Sequence, residues 1–108
     1  MKTTAPQLLN KAATIMEDRG RQYDAPEGER SMGRAVTALN AILGRNAITE
    51  SEGWLLMQLL KDVRDRQRVL PHADSLEDCV AYAALKAEAR LQEVPVWSGT
   101  TEKFGEAA

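Results

Sequence analysis

Cysteine, histidine and aromatic residues are all scarce in this chain of 108 residues, and each shortage removes a class of function. A single cysteine, Cys79, cannot form a disulfide framework or a cysteine-rich metal site within one chain, and its apolar helical neighbours describe a buried, inert thiol. The one histidine, His72, sits in a Pro-containing turn, a poor place for the base of a Ser-His-Asp arrangement. Aromatics make up 5% of the residues, so the core is expected from Leu, Ile, Val, Met and Ala, a composition that favours helices. No uncharged apolar stretch exceeds Trp54 to Leu60, far too short to cross a bilayer. The opening MKTTAPQLLNKAATIMEDRG turns polar before a signal-peptide apolar region is complete, which gives a cytoplasmic protein as the expectation.

Familiar chemical signatures are missing as well. There is no phosphate-cradling Gly-rich loop, dinucleotide fingerprint, His-Glu-x-x-His or nucleophile elbow. A net charge of −2 and a pI near 5.4 argue against coating nucleic acid or an anionic membrane. A helix-turn-helix is disfavoured too, because the segment after Gly44 carries Glu50 and Glu52 where a recognition helix should be basic.

What is present is helical periodicity with start and stop signals. The first helix spans about 6–19, with Thr4 before it, Leu8, Leu9, Ala12, Ile15 and Met16 on one stripe, and Gly20 as its stop. A loop over 21–25 leads to a second helix over about 27–43, with Met32, Ala35, Val36, Leu39, Ile42 and Leu43 at helical spacing. Thr49-Glu50-Ser51-Glu52 reads as a capping box opening a third helix over 50–69, with Trp54, Leu55, Leu56, Leu59, Leu60 and Val63 as its apolar residues. Arg64, Arg66 and Arg68 then suit the negative end of its dipole. The fourth helix, 75–92, is capped by Asp74 or Ser75 and buries Leu76, Cys79, Val80, Ala83, Ala87 and Leu91. These make one helical domain over 1–93; 94–108 reads as a flexible tail, in which Trp97 and Phe104 either dock on a neighbour or stay free.

Two constellations stand out from this scaffold. Lys61 and Arg64 share one face of the third helix, Asp74 and Asp78 share one face of the fourth, and the short turn at Leu70-Pro71-His72-Ala73 folds the helices together. Such charges are either a structural ion-pair lock or the lining of a site for a charged ligand, with His72 a neighbouring contact. Asp62, Asp65 and Glu77 read as solvated. The second constellation, Arg19-Gly20-Arg21-Gln22-Tyr23-Asp24, offers a guanidinium, an amide and a phenol. These can hold a phosphate and stack on a base, or Tyr23 can plug the bundle while Arg19 caps carbonyls.

With these residues laid out, the strings RGRQYDAP, LLMQLLKDVRD and HADSLEDCVAYAAL resemble a family of small phage and prophage proteins of unknown function. Its pattern is Arg-Gly-x-x-Tyr-Gly-x-Pro, Lys-x-x-Arg on a Met- and Leu-rich helix, then His-x-Asp-Ser-x-x-Asp and Gly-Tyr-Ala. Arg19, Gly20, Tyr23, Pro26, Lys61, Arg64, His72, Asp74, Ser75, Asp78 and Tyr82 match; Asp24 and Ala81 depart from its glycines. That family is distantly similar to the MazG-like all-α nucleoside triphosphate pyrophosphohydrolases, whose Glu-x-x-Glu and Glu-x-x-Asp carboxylates hold magnesium. Here Lys61 and Arg64 correspond to the first acidic pair and Ser75 to one member of the second. Cations cannot ligate magnesium, which takes oxygen donors.

The resemblance therefore implies an all-α, four-helix, MazG-like bundle, dimeric, that binds a nucleotide or other phosphorylated small molecule without efficient hydrolysis. Lys61, Arg64, Asp74, Asp78, Tyr23, Arg19, His72 and Tyr82 are the candidate ligand-binding residues, with no cofactor and no metal. Two alternatives stay open: a phage effector docking on a host protein in the host cytoplasm, and a weak magnesium-dependent pyrophosphohydrolase using Asp74, Glu77 and Asp78. Neither nucleic acid nor a membrane is an expected partner.

Overall fold

The computed structural model describes residues 2–23 and 31–93, and these form four α-helices with no strand among them. They are α1 (Ala5–Tyr23), α2 (Ser31–Leu43), α3 (Glu50–Arg66) and α4 (Ala73–Gln92). Helices α3 and α4 form the central antiparallel hairpin, α1 packs on α4, and α2 packs on α3 and on no other helix among the described residues. The all-α, four-helix expectation holds. Its boundaries shift at three places. Helix α1 runs through Gly20 to Tyr23, because a glycine with helical backbone costs a helix only about 1 kcal/mol and does not by itself stop one. Helix α3 ends at Arg66, where the Gln67 N–H folds back onto the Val63 and Asp65 carbonyls. The cap of α4 is His72, not Asp74 or Ser75. The Tyr23 side chain, Pro26, Trp97 and Phe104 lie outside the described residues.

The core overturns two expectations from composition. Its centre is aromatic: Trp54 and Tyr82 stack with centroids 5.6 Å apart and planes at 24°, surrounded by Leu85, Ala89, Met16, Met32 and Met57. Two rings at the middle outweigh their small number because each buries far more surface than an alanine. The buried face of α4 is also rotated from the expected one. Ser75, Asp78, Ala81, Tyr82, Leu85 and Ala89 point inward, while Leu91 is 86% exposed. Tyr82 and Leu85 are the side chains long enough to meet Trp54, so they set the rotation and carry the polar Ser75 and Asp78 inward with them.

Helix α2 closes against α3 where Gly53 lacks a side chain. A Cβ there would stand 2.5 Å from the Met32 Sδ and 3.2 Å from Val36 Cγ2, so this glycine permits the close approach. Gly44, at φ +71°, ends α2, and Asn40 orders the following loop by accepting from the Ala47 and Ile48 N–H groups and donating to the Ile48 carbonyl.

Candidate functional site

The groove that gathers most of the sequence-selected charges lies where α3 ends and α4 begins. It encloses about 520 Å³ and is lined by Lys61, Arg64, Gln67, Arg68, His72, Asp74, Ser75 and Asp78. Helical geometry brings two of these cations together, since Lys61 and Arg64, three residues apart, share one face of α3; Arg68 follows the end of the helix and reaches the same groove from the turn. Arg66 falls well outside that face. The hairpin turn is held by Asp65, whose Oδ1 accepts the His72 N–H at 2.8 Å, so this carboxylate is a structural clamp and not the solvated group expected. His72 Nδ1 lies 2.6 Å from Ser75 Oγ, which fixes the imidazole over the first turn of α4.

Within the groove the charges divide into two sets. Asp78, its side chain only 10% exposed, accepts from Lys61 Nζ at 2.9 Å and from Arg19 Nη2 at 3.2 Å. The ion-pair lock thus pairs Lys61 with Asp78 as expected. Its second cation is Arg19 of α1, not Arg64. Glu77, expected in solvent, is buried and accepts from Lys11 Nζ at 2.8 Å, and this bond raises the Lys11 pKa above its ordinary value. Together the two pairs tie α1 to the charged face of α4. Arg64, Arg68 and Asp74 form no ion pair among the described residues, and all three are exposed.

Backbone chemistry adds to the positive side of the groove. The side chain of His72 makes no capping hydrogen bond, so the first N–H groups of α4 begin without the side-chain acceptor that usually closes a helix start. The end of α3 opposes this with its carbonyls, which the nearby arginines complement.

Other candidate residues lie elsewhere. Tyr82 is buried against Trp54 and does not line the groove. Burial pushes the Cys79 thiol up, with the charges of Asp62, Asp65 and Asp78 adding to the effect; its Sγ–H donates to the Gln58 carbonyl at 3.4 Å, an arrangement for an unreactive thiol. Sequence reasoning overlooked Arg68 and Gln67 as groove residues; both follow the last residue of α3, where helical spacing no longer places a side chain. Lys11 gave no signal of its own, since one lysine on a polar helix face resembles any other. Among the described residues no three His, Cys, Asp or Glu side chains converge as a metal site would require.

Residues 7–90 match the family model described as a domain of unknown function, DUF6378. The chain belongs to this family. Comparisons with curated proteins and with solved structures find no match. The DUF6378 match reaches into all four helices and includes every lining residue of the groove, so the charged hairpin lies within the family's domain. It assigns no activity, and the likeness to MazG-like and phage proteins rests on the sequence motifs alone. No helix among the described residues is long and apolar enough to cross a membrane.

Proposed function

We infer that this DUF6378 domain binds the phosphate groups of a nucleotide or another phosphorylated small molecule in the α3–α4 groove, without hydrolysing it efficiently. One observation carries the reading: Arg64 and Arg68 line the groove without a carboxylate partner, beside Lys61 and the first turn of an α4 that lacks a side-chain cap. Guanidinium groups free of ion pairs retain the planar donor fork that matches phosphate oxygens, and a helix N-terminus supplies further N–H donors. Asp78 competes little for them, because Lys61 and Arg19 already neutralise it. His72, held by Ser75, is placed to add a contact at the groove edge. A nucleotide is the favoured ligand within this class because the motifs resemble those of MazG-like proteins, and on that likeness the protein is a phage-encoded factor of the host cytoplasm.

The carboxylates bear on the hydrolase alternative. Glu77 and Asp78 each hold a cation partner, so magnesium would have to displace Lys11, or Lys61 and Arg19, before using them. Calorimetric titration with inorganic pyrophosphate and with a nucleoside triphosphate, each with and without magnesium, tests the reading. Binding in the absence of magnesium is expected, weakening as salt rises. Replacing Arg64 and Arg68 together by alanine should reduce affinity about tenfold or more. Failure of both ligands to bind, or equal binding by the double variant, would sink the proposal. Magnesium-dependent release of pyrophosphate, abolished by Asp78→Asn, would instead establish the hydrolase.

A further inference from the structure

The face of α3 turned away from the core is apolar and bare. Leu55, Leu56, Leu59, Leu60 and Val63 are each between 39% and 63% exposed, although they occupy the middle of α3. Scattered exposed leucines need no explanation, but five on one helix face form a contiguous patch. Its ends are charged, and oppositely. At about 100° per residue, Glu52, Leu55, Leu56, Leu59, Val63 and Arg66 fall within an arc of roughly 100° centred opposite Trp54 and Lys61. Glu52 stands seven residues before Leu59 and Arg66 seven residues after it. Glu52, Leu56, Leu59, Val63 and Arg66 are thus spaced by four, three, four and three residues, the seam of a helix that packs along another.

We propose that this face binds a second copy of the same chain, with the two α3 helices antiparallel about a two-fold axis through Leu59. In that register Leu59 meets Leu59, Leu56 of each copy lies beside Val63 of the other within one residue's rise, and Glu52 of each copy meets Arg66 of the other. Two ion pairs then close the two ends of one apolar seam, and the helix dipoles oppose. A parallel pairing would set Glu52 on Glu52 and Arg66 on Arg66, so the charge order itself selects the antiparallel arrangement. Glu52 can serve both duties, since its capping bond to the Thr49 N–H uses only Oε1. The surface is self-complementary, as a two-fold interface must be. It is also separate from the phosphate groove, so the inference does not rest on the function proposed above: Arg64 and Arg68 face one way and Arg66 the other.

Sedimentation of the full chain at micromolar concentration, wild type against variants, tests this. The wild type should be a dimer, and Leu59→Asp should weaken association about a hundredfold or more while leaving helix content unchanged, because the side chain is already half exposed. Leu91→Asp, at an exposed position on α4, should leave the dimer intact. Arg66→Glu should weaken association about tenfold, and adding Glu52→Arg in the same chain should restore it. That recovery reads out antiparallel pairing, which a generally sticky face would not show. A monomeric wild type, a dimer indifferent to Leu59→Asp, or no recovery in the charge-swapped double variant would each overturn the proposal. If the full chain is monomeric and only a chain ended at Glu93 associates, the face belongs to residues 94–108 instead.

Discussion

Helices α3 and α4 lie side by side, yet they begin in opposite ways. At the start of α3 the Thr49 side chain accepts the Glu52 N–H at 3.2 Å and the Glu52 carboxylate accepts the Thr49 N–H at 2.7 Å. Glu93, at the far end of α4, then accepts from the Ser51 N–H at 3.0 Å and from Ser51 Oγ at 2.9 Å. Three carboxylate or hydroxyl groups thereby satisfy donors that a helix start leaves open. The start of α4 has no such closure: the His72 side chain makes no capping bond, and Lys61, Arg64 and Arg68 line the groove beside it together with Asp74. One end of the hairpin is saturated with protein acceptors and the other is supplied with donors. The contrast shows how the same backbone feature, a helix N-terminus, becomes structural where acceptors surround it and receptive where arginines do.

The comparison can be broken most severely at the open end. Lys61→Met keeps the aliphatic packing but removes one of the two cations on the buried Asp78, and should destabilise by about 2–4 kcal/mol in urea denaturation. An effect as small as that of changing a surface lysine would mean that Arg19 alone holds Asp78. At the closed end, Thr49→Ala should cost about 1 kcal/mol, the usual value of a lost cap, seen as a lower denaturation midpoint with an unchanged slope.

A pH series sharpens the same contrast. Burial pulls the Glu93 carboxyl up, but hydrogen bonds from the Ser51 N–H and hydroxyl and the nearby Arg90 outweigh it and hold the group below its ordinary range. A lowered folded pKa means stability that is complete above the ordinary value and lost as pH falls through the folded one. Glu93→Gln should therefore cost roughly 0.5–1 kcal/mol near neutrality, and the gap from wild type should close as pH drops below the ordinary glutamate value of 4.5. A gap independent of pH would show that the ionised form is not what Ser51 requires.

The smallest effect on stability is expected from Arg64→Ala. With no carboxylate partner, this residue should cost under about 0.5 kcal/mol, while pyrophosphate affinity falls severalfold. A loss approaching that of Lys61→Met would return Arg64 to the ion-pair lock and remove the main support for an anion groove.

Much of the scaffold was legible because it is written locally. The Thr49-Glu52 box involves residues three apart, the turn after α2 needs only Gly44 in a left-handed conformation, and the helices follow from periodicity. The candidate groove was legible in part: Lys61, Arg64, His72, Asp74 and Asp78 line it, whereas Tyr82 belongs to the core. What could not be read was the angle at which each helix presents itself. Several rotations of α4 bury comparable numbers of apolar residues, and the one adopted depends on Tyr82 and Leu85 reaching Trp54.

By itself, then, the sequence determined four helices, the capping box of α3, the hairpin at Pro71 and the shared face of Lys61 and Arg64 on α3. Tertiary structure alone decided that Arg19 would travel 59 residues along the chain to share Asp78 with Lys61, leaving Arg64 and Arg68 unpaired. The physical reason is range. Hydrogen bonds within a turn are fixed by spacing, while the choice among cations for one buried carboxylate depends on helix rotation and packing that only the assembled core sets.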